Sequence, residues 1–270
     1  MFKKAHFIAI LLISTVLFSC SKHQKLLKST DNELKYQQAM AYYDKGDYYR
    51  ALQVFDQLIP VYRGTTQSEE LLFRYAYAYY YERDYIMASY YFNRFTATFP
   101  RSEKTEEAAF QSAYCKYLDS PRSTLDQTVT KEAINEFQVF INRFPYGEKA
   151  KEATKLIDEL RMKLQLKDYN IANLYFKIED YQAAIVSYRN LMKDYPDTDF
   201  KEEVMYKIIL AAYNFASMSI VEKRQERFED ARKAYYDFIA VYPESRYLSE
   251  INKINNRVST ELSKYENAEI

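Results

Sequence analysis

Two histidines, two cysteines and a scatter of paired carboxylates are what this 270-residue chain offers for covalent or acid–base chemistry. His6 lies in an apolar N-terminal run and His23 in the polar stretch after it, so neither falls in the periodic region that begins at Glu33. That region therefore lacks the residue on which Ser-His and Cys-His nucleophile pairs and the common zinc sites rely. Gly46, Gly64 and Gly147 are too far apart to build a phosphate-cradling loop. Cys115 aligns with Ala41 and Ala78, positions where small residues let helices approach, and reads as a packed, inert thiol. Glu69-Glu70 and Glu106-Glu107 open periodic segments, where acidic groups complement the helix dipole. The expectation is no enzyme, no cofactor and no metal. A formal net charge of zero argues against nucleic acid as partner.

One cysteine does invite chemistry. Residues 1–19 start with Lys3 and Lys4, continue with an apolar run from Phe7 to Phe18 too short for a comfortable membrane span, and lead into Cys20. Leu17-Phe18-Ser19-Cys20 resembles a bacterial lipobox, with Phe18 bulkier than usual there. The resemblance implies cleavage before Cys20, a diacylglyceryl group on its thiol and an acyl chain on the new amino terminus. Several chains anchor stably at ~0.8 kcal/mol per buried methylene. An ordinary signal peptide with an incidental cysteine is the alternative. Ser21 follows without an acidic run, which by resemblance to lipoprotein sorting rules implies the outer membrane, facing the periplasm. Losing Lys3 and Lys4 leaves 36 basic against 38 acidic residues, a net of −2, so no basic surface is expected to hold the membrane. Residues 20–32 read as a lipidated polar tether.

The positioning elements are repeats. Ala184 leads to Tyr188, Leu191, Tyr195 and Pro196, one helical face closed by a proline. The same module starts at Ala51, Ala88, Ala133 and Ala231, and each copy is preceded by a second helical pattern such as 69–81, 106–118 and 202–214. Short turns such as Lys45-Gly46-Asp47 make each pair an antiparallel hairpin. The register Ala39, Tyr42, Gly46-Asp47-Tyr48, Ala51, Phe55 resembles the tetratricopeptide repeat, and the lead alanines stand 37, 45, 51 and 47 residues apart, longer than the usual 34. The expected fold is all-α, a right-handed α-solenoid of five expanded tetratricopeptide repeats. The extra length is expected in a loop at 119–128 and a long helix within 147–178. A capping helix from Ser245 to about Lys264, with Ile251, Ile254 and Val258 inward, closes the stack.

Aromatic residues, 29 of them Tyr, follow the first helix of each pair at i, i+4, i+7. They are Tyr36 and Tyr43 flanking Met40; Phe73, Tyr77 and Tyr80; and Phe110, Tyr114 and Tyr117. The ladder turns mixed at Tyr169, Asn173, Phe176 and at Tyr206, Leu210, Tyr213. Either these rings pack between neighbouring helices, or they line a groove whose hydroxyls stay wet and which suits an extended peptide with aromatic side chains.

A lipoprotein leader followed by five expanded repeats resembles the BamD family of β-barrel assembly lipoproteins. The most specific stretch is 164–198, a Tyr-rich helix followed by one ending in Asp194-Tyr195-Pro196-Asp197-Thr198. The resemblance implies that repeats 1–3, residues 33–145, receive unfolded outer membrane proteins. It implies that repeats 4–5 and the cap, 146–264, dock on a BamA-type barrel protein, with other assembly lipoproteins as further partners. A tetratricopeptide lipoprotein organising envelope or division complexes is the alternative. Glycan capture of the SusD kind is disfavoured by the absence of Trp and the shorter chain. An alkyne-bearing palmitate should label the wild-type protein and fail to label Cys20→Ser; equal labelling would refute acylation at that thiol.

Overall fold

The computed structural model describes residues 22–266, so Cys20 and the leader lie outside the described residues. Among them every regular element is helical. They are α1 (22–28), α2 (Asn32–Asp44), α3 (Tyr48–Leu58), α4 (Ser68–Tyr81), α5 (Tyr85–Thr98), α6 (Thr105–Asp119), α7 (Thr128–Arg143), α8 (Lys149–Lys177), α9 (Tyr181–Asp194), α10 (Lys201–Ser217), α11 (Val221–Val241) and α12 (Leu248–Glu266). None is long and apolar enough to cross a membrane. The fold is the tetratricopeptide type: helical hairpins, stacked in two compact units. The first unit holds the described residues up to Pro121 together with Asp126–Leu160, and the second holds Arg122–Leu125 and Arg161 onward.

The hairpin turn is written in three residues. In α2–α3, α4–α5 and α8–α9 the chain passes through a left-handed residue, Gly46 (φ 76°), Arg83 (φ 63°) and Glu179 (φ 64°). An aspartate follows each time. Asp47, Asp84 and Asp180 accept hydrogen bonds from the backbone N–H of Arg50, Met87 and Ala183, capping the next helix. Only Gly46 adopts its conformation without steric cost.

The exit is equally regular. Phe99, Phe144, Tyr195 and Tyr242 leave the helix at φ −122°, −128°, −133° and −128°. Each stands before a proline, which disfavours helical geometry in its predecessor and supplies no N–H to continue the ladder. The core follows from what lies between turn and exit. The lead alanines Ala51, Ala88, Ala133, Ala184 and Ala231 are all at most 1% exposed, and Phe55, Phe92, Phe137 and Tyr188 four residues on are wholly buried. Small residues bring the helices close and large ones fill the gap they leave.

Three expectations change. Residues 22–28, expected within a tether, form α1, with His23 and Leu26 buried and Leu27 packed on the first hairpin's core. The folded part therefore does contain a histidine, whose Nε2 lies 2.7 Å from Gln53 Oε1. The cap helix starts at Leu248 rather than Ser245, whose Oγ instead accepts the Tyr247 N–H. It buries Ile251, Ile254, Val258 and also Leu262. The unit boundary falls at 160/161, within the 29-residue α8, rather than at 145/146. The cause is apolar: Ala153, Leu156, Ile157 and Leu160 complete the core of Phe110, Phe137 and Phe140. Irregular structure at 120–127 matches the loop expected around Pro121.

The turn motif gives opposite expectations for neighbouring substitutions. Arg83→Gly should raise stability by about 1 kcal/mol by relieving the left-handed residue, and Asp84→Ala should lower it by about 1 kcal/mol by removing the cap. Urea unfolding monitored by circular dichroism reads both.

Candidate functional site

The ladder residues do sit together along the first helices, but they are not equally open. Tyr77 and Phe110 are buried, and the packed reading holds for both. Tyr77 lies with its ring edge on Phe92, centroids 4.8 Å apart, and its hydroxyl donates to Glu107. Phe110 is wedged between Phe137 at 5.8 Å and Phe140 at 5.5 Å. A repeating helix pattern marks a face but not how far its own hairpin partner reaches over it, and α5 and α7 reach over these two. Tyr36, Tyr43, Phe73, Tyr80, Tyr114 and Tyr117 are half-buried. Tyr114 stacks between Phe110 at 5.8 Å and Tyr117 at 5.6 Å, and Tyr36 meets Tyr62 at 5.3 Å.

Each rung also carries a cation that the ladder pattern does not reveal. Arg74 lies 5.0 Å from the Tyr43 ring centre, Lys104 5.0 Å from Phe73, and Lys149 4.3 Å from Phe110. In the second unit Lys207 lies 4.9 Å from Tyr169, and Arg246 4.7 Å from Tyr247, whose ring stacks on Tyr206 at 4.1 Å. Arg74, Lys104, Lys149 and Lys207 each come from a later position than the ring they cover, on or just before the first helix of the following pair. Such contacts are worth about 0.5–1 kcal/mol where exposed. In the sequence these cations stand at differing depths, Lys104 just before its helix, Lys149 at the first residue, and Arg74 and Lys207 at the seventh, so no single spacing from the ladder marks them.

Carboxylates hold the cations in place. Glu70 takes hydrogen bonds from both Arg74 and Lys104, and Arg74 also reaches Asp44. Burial alone would raise the Glu70 carboxyl, but those two cations outweigh it and hold it below the usual carboxylate range. The Tyr117 hydroxyl donates to Glu159 Oε2 at 2.7 Å, and that bond, with burial second, pushes its phenol up to about 12. In the second unit Asn173, at a ladder position, accepts from the Tyr188 hydroxyl at 2.7 Å and from Lys207 at 2.6 Å. In each unit the rings are thus edged by fixed charges of both signs.

Cys115 is fully buried, and burial, with Glu136 second, pushes its thiol up to about 12, so the packed reading stands. A cleft of about 670 Å³ lies away from the ladder, between α5 and α7. Ile86 and Tyr90, 69% and 57% exposed, form its apolar wall, and Lys116, paired to Glu136 at 2.6 Å and Glu132 at 3.0 Å, lines it too. Its sequence signal was an i, i+4 apolar pair on the side of α5 opposite Ala88 and Phe92.

With this geometry in view, the chain matches the family model YfiO, described as outer membrane lipoprotein, over residues 28–228. No curated protein matches it. Among solved structures it is similar to the TPR2AB-domain:pHSP90-complex of yeast Sti1, with a TM-score of 0.37 and 15% identity over 84% of this chain and 98% of that one. A likeness that loose carries no argument.

Because Tyr77 is packed, Tyr77→Ala should cost about 3–5 kcal/mol, the scale of emptying a buried aromatic site. Tyr114→Ala, at a half-buried ring, should cost less than half as much in the same denaturation assay.

Proposed function

The chain belongs to the YfiO family of outer membrane lipoproteins, and from that footing we propose that it is a non-catalytic component of the β-barrel assembly machinery. In this reading it is anchored through Cys20 and faces the periplasm. Its first unit receives unfolded outer membrane proteins and its second docks on a BamA-type barrel protein.

The observation that carries the reading is the cation-edged ladder of the first unit. Tyr36, Tyr43, Phe73, Tyr80, Tyr114 and Tyr117 present half-open rings, with Arg74, Lys104 and Lys149 beside them. An aromatic side chain close to a chain's terminal carboxylate meets both needs there, ring against ring and carboxylate against cation. Supporting the docking role of the second unit, α8 exposes Ile171 and Leu174, with Ile178 just beyond it, at i, i+3 and i+7, an apolar stripe on one helix side. Stripes of this kind mark protein interaction surfaces.

The test uses rings that are half-buried rather than fully buried. A peptide ending in an aromatic barrel-strand signal should bind the purified mature protein. Tyr36→Ala with Tyr80→Ala and Tyr114→Ala should weaken it by about tenfold or more, the scale of aromatic hot spots. Unchanged affinity would remove the ladder as receptor. Crosslinked pull-down from membranes should recover a large barrel protein; recovery of division or envelope-organising proteins in its place would favour the scaffold alternative.

A further inference from the structure

The first described helix is a brace rather than a leash. His23 and Leu26 are buried, the His23 ring meets Tyr42 edge-on at 5.4 Å, and its Nε2 lies against Gln53 of α3. The Ser29 N–H closes the helix on Leu26 O at 3.0 Å. On the other side stand Lys22, Lys25 and Lys28, all exposed. At i, i+3 and i+6 they share one flank, turned away from His23, Leu26 and Leu27. No ion pair among the described residues engages any of them. The nearest acid along the chain, Asp31, is occupied in accepting the Leu34 N–H at 2.9 Å as the cap of α2.

We propose that the Lys22–Lys25–Lys28 face of α1 rests on anionic lipid headgroups and holds the first hairpin against the membrane surface. The proposal rests on the anchor at Cys20, two residues before Lys22. Two peptide units span at most about 7 Å, so an acylated Cys20 keeps Lys22 within reach of the headgroup layer, and Lys25 and Lys28 follow on the same flank within about 9 Å of helix rise. A headgroup layer is the one partner that the covalent chain delivers there. Each lysine at an anionic surface favours the seated state roughly fivefold, and three together favour it roughly a hundredfold. The chain's slight overall acidity does not oppose this, because exposed charges beyond about 10 Å are screened at moderate salt.

Headgroup quenching in reconstituted vesicles tests it. The acylated mature protein would carry a fluorophore on Gln24→Cys, an exposed α1 position, while buried Cys115 stays unlabelled. Vesicles of phosphatidylcholine alone are compared with vesicles containing phosphatidylglycerol, each with a nitroxide on a trace headgroup. Quenching should be at least twofold stronger in the anionic vesicles. It should fall to the neutral level with Lys22→Gln, Lys25→Gln and Lys28→Gln together or at high salt, and persist with the three changed to Arg. Equal quenching across lipids and variants, in protein that floats with the vesicles, would overturn the proposal and leave the lysines facing an acidic protein partner. Protein that neither floats nor carries acyl mass on Cys20 would bring down the anchor reading, and this proposal with it.

Discussion

Close approach of two helices at an alanine is the contact on which the rest of this molecule depends. At Ala51, Ala88, Ala133, Ala184 and Ala231 the neighbouring backbone comes near enough that no larger side chain fits without forcing the hairpin apart. Approach at one point opens a wedge one helical turn further on, which is why an aromatic ring stands four residues later in every copy. Once the rings are in place the prolines can stop the helix at a constant distance from the alanine, as they do in four of the five copies. The hairpins can then repeat with little regard for what their outer faces carry. Outer faces are therefore free to differ, and they do: one carries the ladder, another the cleft between α5 and α7.

The abundance of tyrosine follows from the same geometry. Helix α4 must satisfy two sides at once. Tyr77 serves the ladder side and gives its hydroxyl to Glu107, while Tyr75 serves the opposite side and gives its hydroxyl to Asp56, with its ring 4.4 Å from Tyr91. A leucine would fill either site but would give up the hydrogen bond from the buried ring's hydroxyl to a carboxylate on the exposed side of the helix. Tyrosine is the side chain that is apolar where the helices meet and polar where they end. The cations laid over the rungs extend that logic to the surface, giving an aromatic strip that stays hydrated at its margins.

How much of this was legible in the sequence depends on the length scale of the signal. Helix pairs and the alanine-to-aromatic spacing were readable because each repeats five times, and the closing proline four times, over segments long enough to show a period. Helix α1 was not, since seven residues with His23, Leu26 and Leu27 as their buried side are too few to reveal periodicity among three lysines. The turn at Arg83-Asp84 was readable as a join between helices, but the left-handed conformation of Arg83 and Glu179 was hidden because neither is glycine. The ladder spacing places its residues on one side of each first helix, but the depth of Tyr77 and Phe110 is set by side chains of α5 and α7, which no pattern within one helix encodes. The unit boundary was displaced for a related reason: α8 is a single uninterrupted helix, and its first turns were claimed by the core of the preceding hairpin.

A chain with no tryptophan and tyrosines spaced 4–6 Å apart is also an optical object. Excitation absorbed by one phenol can pass along neighbouring rings, and their coupled transitions make the near-ultraviolet dichroism depend on ring orientation rather than on helix content. A tryptophan arriving on a bound chain would be the lowest-energy chromophore present and would drain that excitation. The protein thus reports its own packing, and the arrival of a visitor, in light that needs no added dye.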